Sequence, residues 1–132
     1  MNAQMTIGDA AKDSAVSAKM IRHYESIGLL PRARRTDAGY RLYDETDVHT
    51  LRFIQRARSL GFPLETIRTL LALWRNRRRS SAQVKDLAQR HVTELERKVA
   101  EMQGMIRTLK HLAHNCHGDD RPDCPILGEL AR

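Results

Sequence analysis

A chain of 132 residues can bury one modest core plus an extension but not two large cores, and its longest apolar run, Leu70 to Trp74, is too short to span a bilayer. The net charge of +7 lies entirely in residues 1–80, which carry 15 Lys/Arg against 8 Asp/Glu, whereas residues 81–132 carry 8 of each. A basic excess confined to one module suits a polyanionic partner, because neutralising phosphates releases counterions; a basic surface kept for solubility is the alternative.

In chain order, Thr6 reads as the N-cap of a short helix over Ile7 to Lys12, with Asp9 at the capping-box position. A turn through Asp13, Ser14 and Ala15 leads to Ser17, which caps a second helix reaching about Ile27 and ended by Gly28. Two short helices joined by a tight turn inside a basic module outline a helix-turn-helix, although helix pairs of this kind also occur in bundles. In the second helix Met20, Ile21, Tyr24 and Ile27 form the packed stripe, so Lys19, Arg22, His23 and Ser26 point outward. Residues 32–43 carry a turn at Asp37-Ala38-Gly39 followed by the alternating Tyr40-Arg41-Leu42-Tyr43, which reads as a small β-hairpin or wing. Asp44, with Asp47 three residues on, caps a third helix to Leu60; Gly61 and Pro63 punctuate it before a fourth over Leu64 to Arg77. Lys19 and Arg22 are placed to approach bases or phosphates, and Tyr40 and Arg41 to grip the backbone.

From Ser81 the pattern changes. Ala88, Val92, Leu95, Val99, Met102, Ile106, Leu109 and Ala113 alternate spacings of four and three, an a/d seam on a helix from Ser81 to about Ala113. Such a helix is about 50 Å long at ~1.5 Å per residue. A chain this small cannot cover that seam, so a second subunit is the expected partner; folding back on the N-terminal module is the alternative. The chain then reads as three parts: a DNA-binding module over 1–80, a dimerisation helix over 81–113, and a loop with a short helical tail over 114–132.

That loop holds Cys116 and Cys124. The chain has no export signal, so a cytoplasmic location is expected and the two cysteines are expected to be thiols. Thiolates are soft donors for Cu(I), Ag(I), Au(I), Zn(II) or Hg(II), and the intervening Gly118 and Pro122 allow the loop to bring two sulfurs together. A tetrahedral zinc site would call for four ligands, and there is no second cysteine pair. His117 is the best placed of three nearby histidines to add a donor; an inert or redox-active thiol pair is the competing reading. Asp119, Asp120 and Asp123 match no calcium-loop spacing, and no catalytic constellation appears.

Taken together, Ile-Gly-Asp-Ala-Ala at 7–11, Ile-Arg-His-Tyr-Glu at 21–25, Gly-Tyr-Arg-Leu-Tyr at 39–43, Phe-Ile-Gln-Arg-Ala-Arg at 53–58, Ser-Ala-Gln-Val-Lys at 81–85 and the Cys-x7-Cys-Pro of 116–125 resemble the MerR family, and within it the copper-efflux regulator branch. The likeness covers residues 5–130, and residues 1–4 would be an alternative start or a disordered lead. It implies a mainly α winged helix-turn-helix followed by a long antiparallel coiled-coil helix and a C-terminal metal-binding loop. It also implies DNA contacts from Lys19, Arg22 and Tyr24 in the recognition helix, with Tyr40, Arg41 and Arg58 holding the backbone. Family members sit as homodimers on promoters whose polymerase-recognition elements are spaced too far apart. Their metal-bound form distorts the DNA so that RNA polymerase can use it.

Relatives that sense Hg(II) or Zn(II) tend to carry Cys where this chain has Ser81, so the resemblance implies a monovalent ion, Cu(I) or else Ag(I) or Au(I), on Cys116 and Cys124. The expected function is therefore transcriptional activation of metal-detoxification genes, with no enzymatic activity and no membrane partner. A gold-, silver- or divalent-preferring sensor stands beside it. So does a thiol metallochaperone, which would have no use for the basic module or the long helix.

Overall fold

Side-chain caps set where the N-terminal helices begin. In the computed structural model, which describes residues 3–132 (residues 1 and 2 of the expected lead lie outside the described residues), the Thr6 hydroxyl accepts the Asp9 N–H at 3.2 Å and opens α1 (Ile7–Ser14). The Ser17 hydroxyl accepts the Met20 N–H at 3.2 Å and opens α2 (Ala18–Ser26). These bonds satisfy amides that have no intrahelical partner, each contributing about 1 kcal/mol. The helix α1 runs two residues beyond the expected Lys12. Ser14 is buried and its hydroxyl accepts the Val16 N–H, while Ala15 turns the chain through a left-handed φ of 62°. The Asp13 carbonyl of its last turn accepts from Nε and Nη2 of Arg52 at 3.2 and 2.9 Å.

Gly28, at φ 80°, redirects the chain after α2 into a two-stranded wing, β1 (Arg34–Arg35) and β2 (Arg41–Leu42), paired antiparallel in the register Arg34 with Leu42 and Arg35 with Arg41. The tip turns at Gly39, φ 88°, a conformation that side chains with a Cβ resist. Thr36 closes it: its N–H donates to the Tyr40 carbonyl at 2.8 Å, and its hydroxyl accepts the Tyr40 N–H at 3.1 Å. Met5 forms an antiparallel bridge with Tyr43 at the wing's base.

Asp44 and Asp47 cap each other's backbone in a full capping box, at 2.9 and 3.0 Å, and start α3 (Glu45–Ser59). The next helix, α4 (Leu64–Arg75), stops two residues short of the expected Arg77, because Asn76 is extended and its side-chain oxygen accepts the Arg78 N–H at 3.0 Å. The helix α1 packs on α2 and α3, and α3 packs on α4. Their shared core centres on the fully buried Ile21, Tyr24, Leu30, Tyr43, Leu51, Ile54 and Ile67. Phe53 stacks on Trp74 across α3 and α4 at 4.7 Å.

The chain divides into two compact units, one ending at Val84 and the other spanning Lys85–Arg132. The long helix α5 (Ser81–His114) has 34 residues, one more than expected, and begins in the first unit. The second unit holds the remainder of α5, the cysteine loop and the short α6 (Pro125–Leu130). Among the described residues no helix is long and apolar enough to cross a membrane.

Candidate metal centre and nucleic-acid interface

The outer face of α2 follows from its burial pattern. Ile21 and Tyr24 lie in the core with Met20 and Ile27 partly buried against it, which leaves Lys19, Arg22, His23 and Ser26 exposed. A helix that buries one stripe this firmly presents the opposite stripe at a fixed angle. Arg22 and Arg41 line one open cleft together with Glu25, Ser26 and Arg32. Tyr40 stands at the wing tip, 71 % exposed.

Tyr24 and Arg58 are brought together in a different way. The Tyr24 ring is taken into the core, and its hydroxyl accepts from Nη1 of the exposed Arg58 at 3.2 Å. The arginine thereby ties the end of α3 to the recognition helix.

Glu25 is a residue that the sequence did not single out by role. Its Oε1 accepts the Ala33 N–H at 3.2 Å and its Oε2 accepts the Tyr43 hydroxyl at 3.1 Å. The same Oε2 lies 3.5 Å from Nε of Arg41. One carboxylate on α2 therefore grips both the entry and the exit of the wing. Burial first, and then the charge and hydrogen bond of Glu25, push the Tyr43 phenol up to about 12.

The second unit carries the thiols. Gly118, at φ 67°, helps to turn the loop between α5 and α6, and Asp119 pairs with Arg121 within it at 2.9 Å. Cys116 and Cys124 are both half-buried and not joined in a disulfide. They lie close enough for the Cys116 side chain to bear on the acidity of the Cys124 thiol. The amide N–H of Leu127 holds the Cys124 thiol below its ordinary pKa, against an opposing desolvation, with the Ile126 amide and Cys116 acting in the same direction. Hydrogen bonds to the sulfur favour its thiolate form, which is the form that binds soft metals.

Among the described residues no cluster of three or more His, Cys, Asp or Glu is arranged to hold a metal ion, so His117 does not complete a three-donor set in this chain. His111 lies 3.2 Å from the Asn115 side-chain nitrogen. Ser81 is exposed at the first position of α5. A two-thiol donor set suits a soft ion satisfied by few ligands and falls short of the four that zinc prefers.

The seam of α5 lies open. Val92, Leu95, Val99, Met102, Ile106 and Leu109 are 37–54 % exposed, and Ala88 and Ala113 are exposed as well. The Arg97 guanidinium is paired with Glu94 and Glu101 on the same helix.

Comparison with known proteins places these features in company. Residues 5–74 match the model of the MerR HTH family regulatory proteins, and residues 48–112 match that of the MerR DNA-binding region. The chain is 62 % identical over 127 residues to heavy metal-dependent transcription regulator 2 of Rhizobium meliloti, covering 96 % of this chain and 86 % of that protein. It is 40 % identical over 127 residues to the HTH-type transcriptional regulator CueR of Salmonella typhimurium, covering 96 % and 92 %. Among solved structures it is similar to the transcription regulator PbrR691 of Ralstonia metallidurans in complex with lead(II), with a TM-score of 0.82, 33 % identity, and 96 % and 98 % of the two chains covered.

Proposed function

This chain belongs to the MerR family of transcription regulators, which are not enzymes, and we propose that it is a metal-responsive activator that binds promoter DNA as a homodimer and answers to Cu(I), or to Ag(I) or Au(I), at Cys116 and Cys124. The observation that carries the metal assignment is the proximity of the two thiols with, among the described residues, no third donor grouped with them. Two thiolates satisfy a soft monovalent ion and leave a divalent one short of ligands. The Leu127 and Ile126 amides lower the Cys124 pKa and so favour the thiolate, the form that binds a soft ion. Bound there, the ion would link the two ends of the loop and so favour one state of the dimer over the other, as any ligand-driven switch requires. The basic first unit, with Lys19, Arg22, Tyr40 and Arg41 exposed or half-exposed on one module, supports promoter binding. The open α5 seam supports a second copy as its cover, in an antiparallel coiled coil.

A divalent-ion sensor is the second reading, favoured by the lead(II) complex of a protein 33 % identical to this chain. Metal-dependent transcription with Cu(I), Au(I), Zn(II) and Pb(II), run on the protein and on Cys116→Ser and Cys124→Ser, separates the two. The response is expected with monovalent ions alone and lost in either serine variant, while promoter affinity stays within a few-fold because the thiols lie outside the basic unit. Loss of DNA binding in a serine variant would make the thiols structural; a response to Pb(II) with none to Cu(I) would favour the second reading.

A further inference from the structure

Among the described residues, Nε of Arg41 is the buried side-chain polar atom left without a hydrogen bond. Its one compensation is the Glu25 carboxylate at 3.5 Å, a charge pairing too long and too poorly aligned for a hydrogen bond. The Arg41 side chain also lines the open cleft that Arg22 and Arg32 line, and Nε alone of its guanidinium nitrogens is a buried atom without a hydrogen bond. The Arg41 side chain is 31 % exposed while that of Glu25 is 11 % exposed, so the carboxylate is the more deeply buried of the pair.

From this arrangement we propose that Glu25 is a positioning residue for DNA binding: its charge anchors Arg41 by Nε and aims the two terminal amino groups at a backbone phosphate. The proposal rests on the reading of Arg41 as a phosphate contact. Arginine is suited to this double duty because its fork offers separate nitrogens to two anions, whereas a lysine ammonium is a single point that must serve one or the other.

The sign of the effect sets this apart from simple screening. Replacing Glu25 by glutamine removes a negative charge from a DNA-facing surface, which by screening alone would tighten binding. Glutamine still offers a carbonyl oxygen to the Ala33 N–H and an amide to the Tyr43 hydroxyl, so the wing stays seated. Only the anchor of Arg41 is lost.

The test titrates the full-length protein onto a random-sequence DNA duplex across a range of salt, since a phosphate contact is independent of sequence. Arg41→Ala should flatten the salt slope by about one unit. Glu25→Gln should weaken binding several-fold and flatten the slope similarly, and the double variant should be no flatter than either single one. Arg41→Lys should resemble Arg41→Ala while Glu25 is present and regain slope in the Glu25→Gln background, where the ammonium is released to the DNA. Tyr43→Phe, which removes one wing contact and no charge, should leave the slope unchanged. Tighter binding by Glu25→Gln would overturn the proposal in favour of screening. An equal loss in the Arg41→Ala background, or a flattened slope in Tyr43→Phe, would overturn it in favour of general wing seating. If Arg41→Ala alone leaves the slope untouched, the reading of Arg41 falls and the proposal with it; if Arg41→Ala acts and Glu25→Gln does not, the role of Glu25 alone is refuted.

Discussion

Tyr43 shows how one side chain links the wing to the stability of the first unit. Its phenol is buried and donates to Glu25, which raises its pKa from the usual 10.0 to about 12. The folded state therefore holds that proton more tightly than the unfolded chain does. The resulting stabilisation is fully present below the ordinary tyrosine value and is lost as pH rises through the folded value. Alkaline titration followed by tyrosinate absorbance and circular dichroism should show stability falling between about pH 10 and 12. Tyr43→Phe should remove that step, and a step that persists in the variant would assign it to another group. Glu25 itself escaped sequence reading for a simple reason. Its partners Ala33 and Tyr43 lie eight and eighteen residues away, a distance that no local pattern encodes.

Helix starts, by contrast, were legible, because capping chemistry acts within three residues. Thr6, Ser17 and Asp44 each cap the helix expected of them. Helix ends were less so: Ala15 adopts a left-handed conformation without the glycine that would signal it, and Asn76 ends α4 through its own side chain. The thiol pair could be read as a soft donor set from residue type and an intervening flexible loop. The influence of the Leu127 amide on Cys124 could not, since it depends on where α6 begins. At this same scale, α5 exposes six large apolar side chains from Val92 to Leu109 along its a/d seam. Leu95→Asp combined with Val99→Asp should place carboxylates in any paired seam and yield monomers in analytical ultracentrifugation. Operator binding should fall by one or more orders of magnitude, because two linked reading heads bind about 100-fold or more tightly than one. A variant that remains dimeric would move the interface elsewhere.

For the molecule as a whole, ion selectivity is proposed to join two copies. Ser81 begins α5, and on the proposed dimer its hydroxyl would stand where a thiol could serve as a further donor to the loop of the second copy. Ser81→Ala should keep the Cu(I) response and change stability by ~0.5 kcal/mol at most, as is usual for an exposed position. Ser81→Cys should add a third thiolate and open a transcriptional response to Zn(II) or Hg(II). Loss of the Cu(I) response in Ser81→Ala would place the hydroxyl in the site and end the two-donor account. The uncovered seam of α5 also carries a consequence for gene dosage. When chains are scarce, the number of two-headed molecules grows as the square of the number of chains made, so halving synthesis cuts the paired form about fourfold. A cell that dilutes this regulator by dividing would lose promoter occupancy sooner than it loses protein.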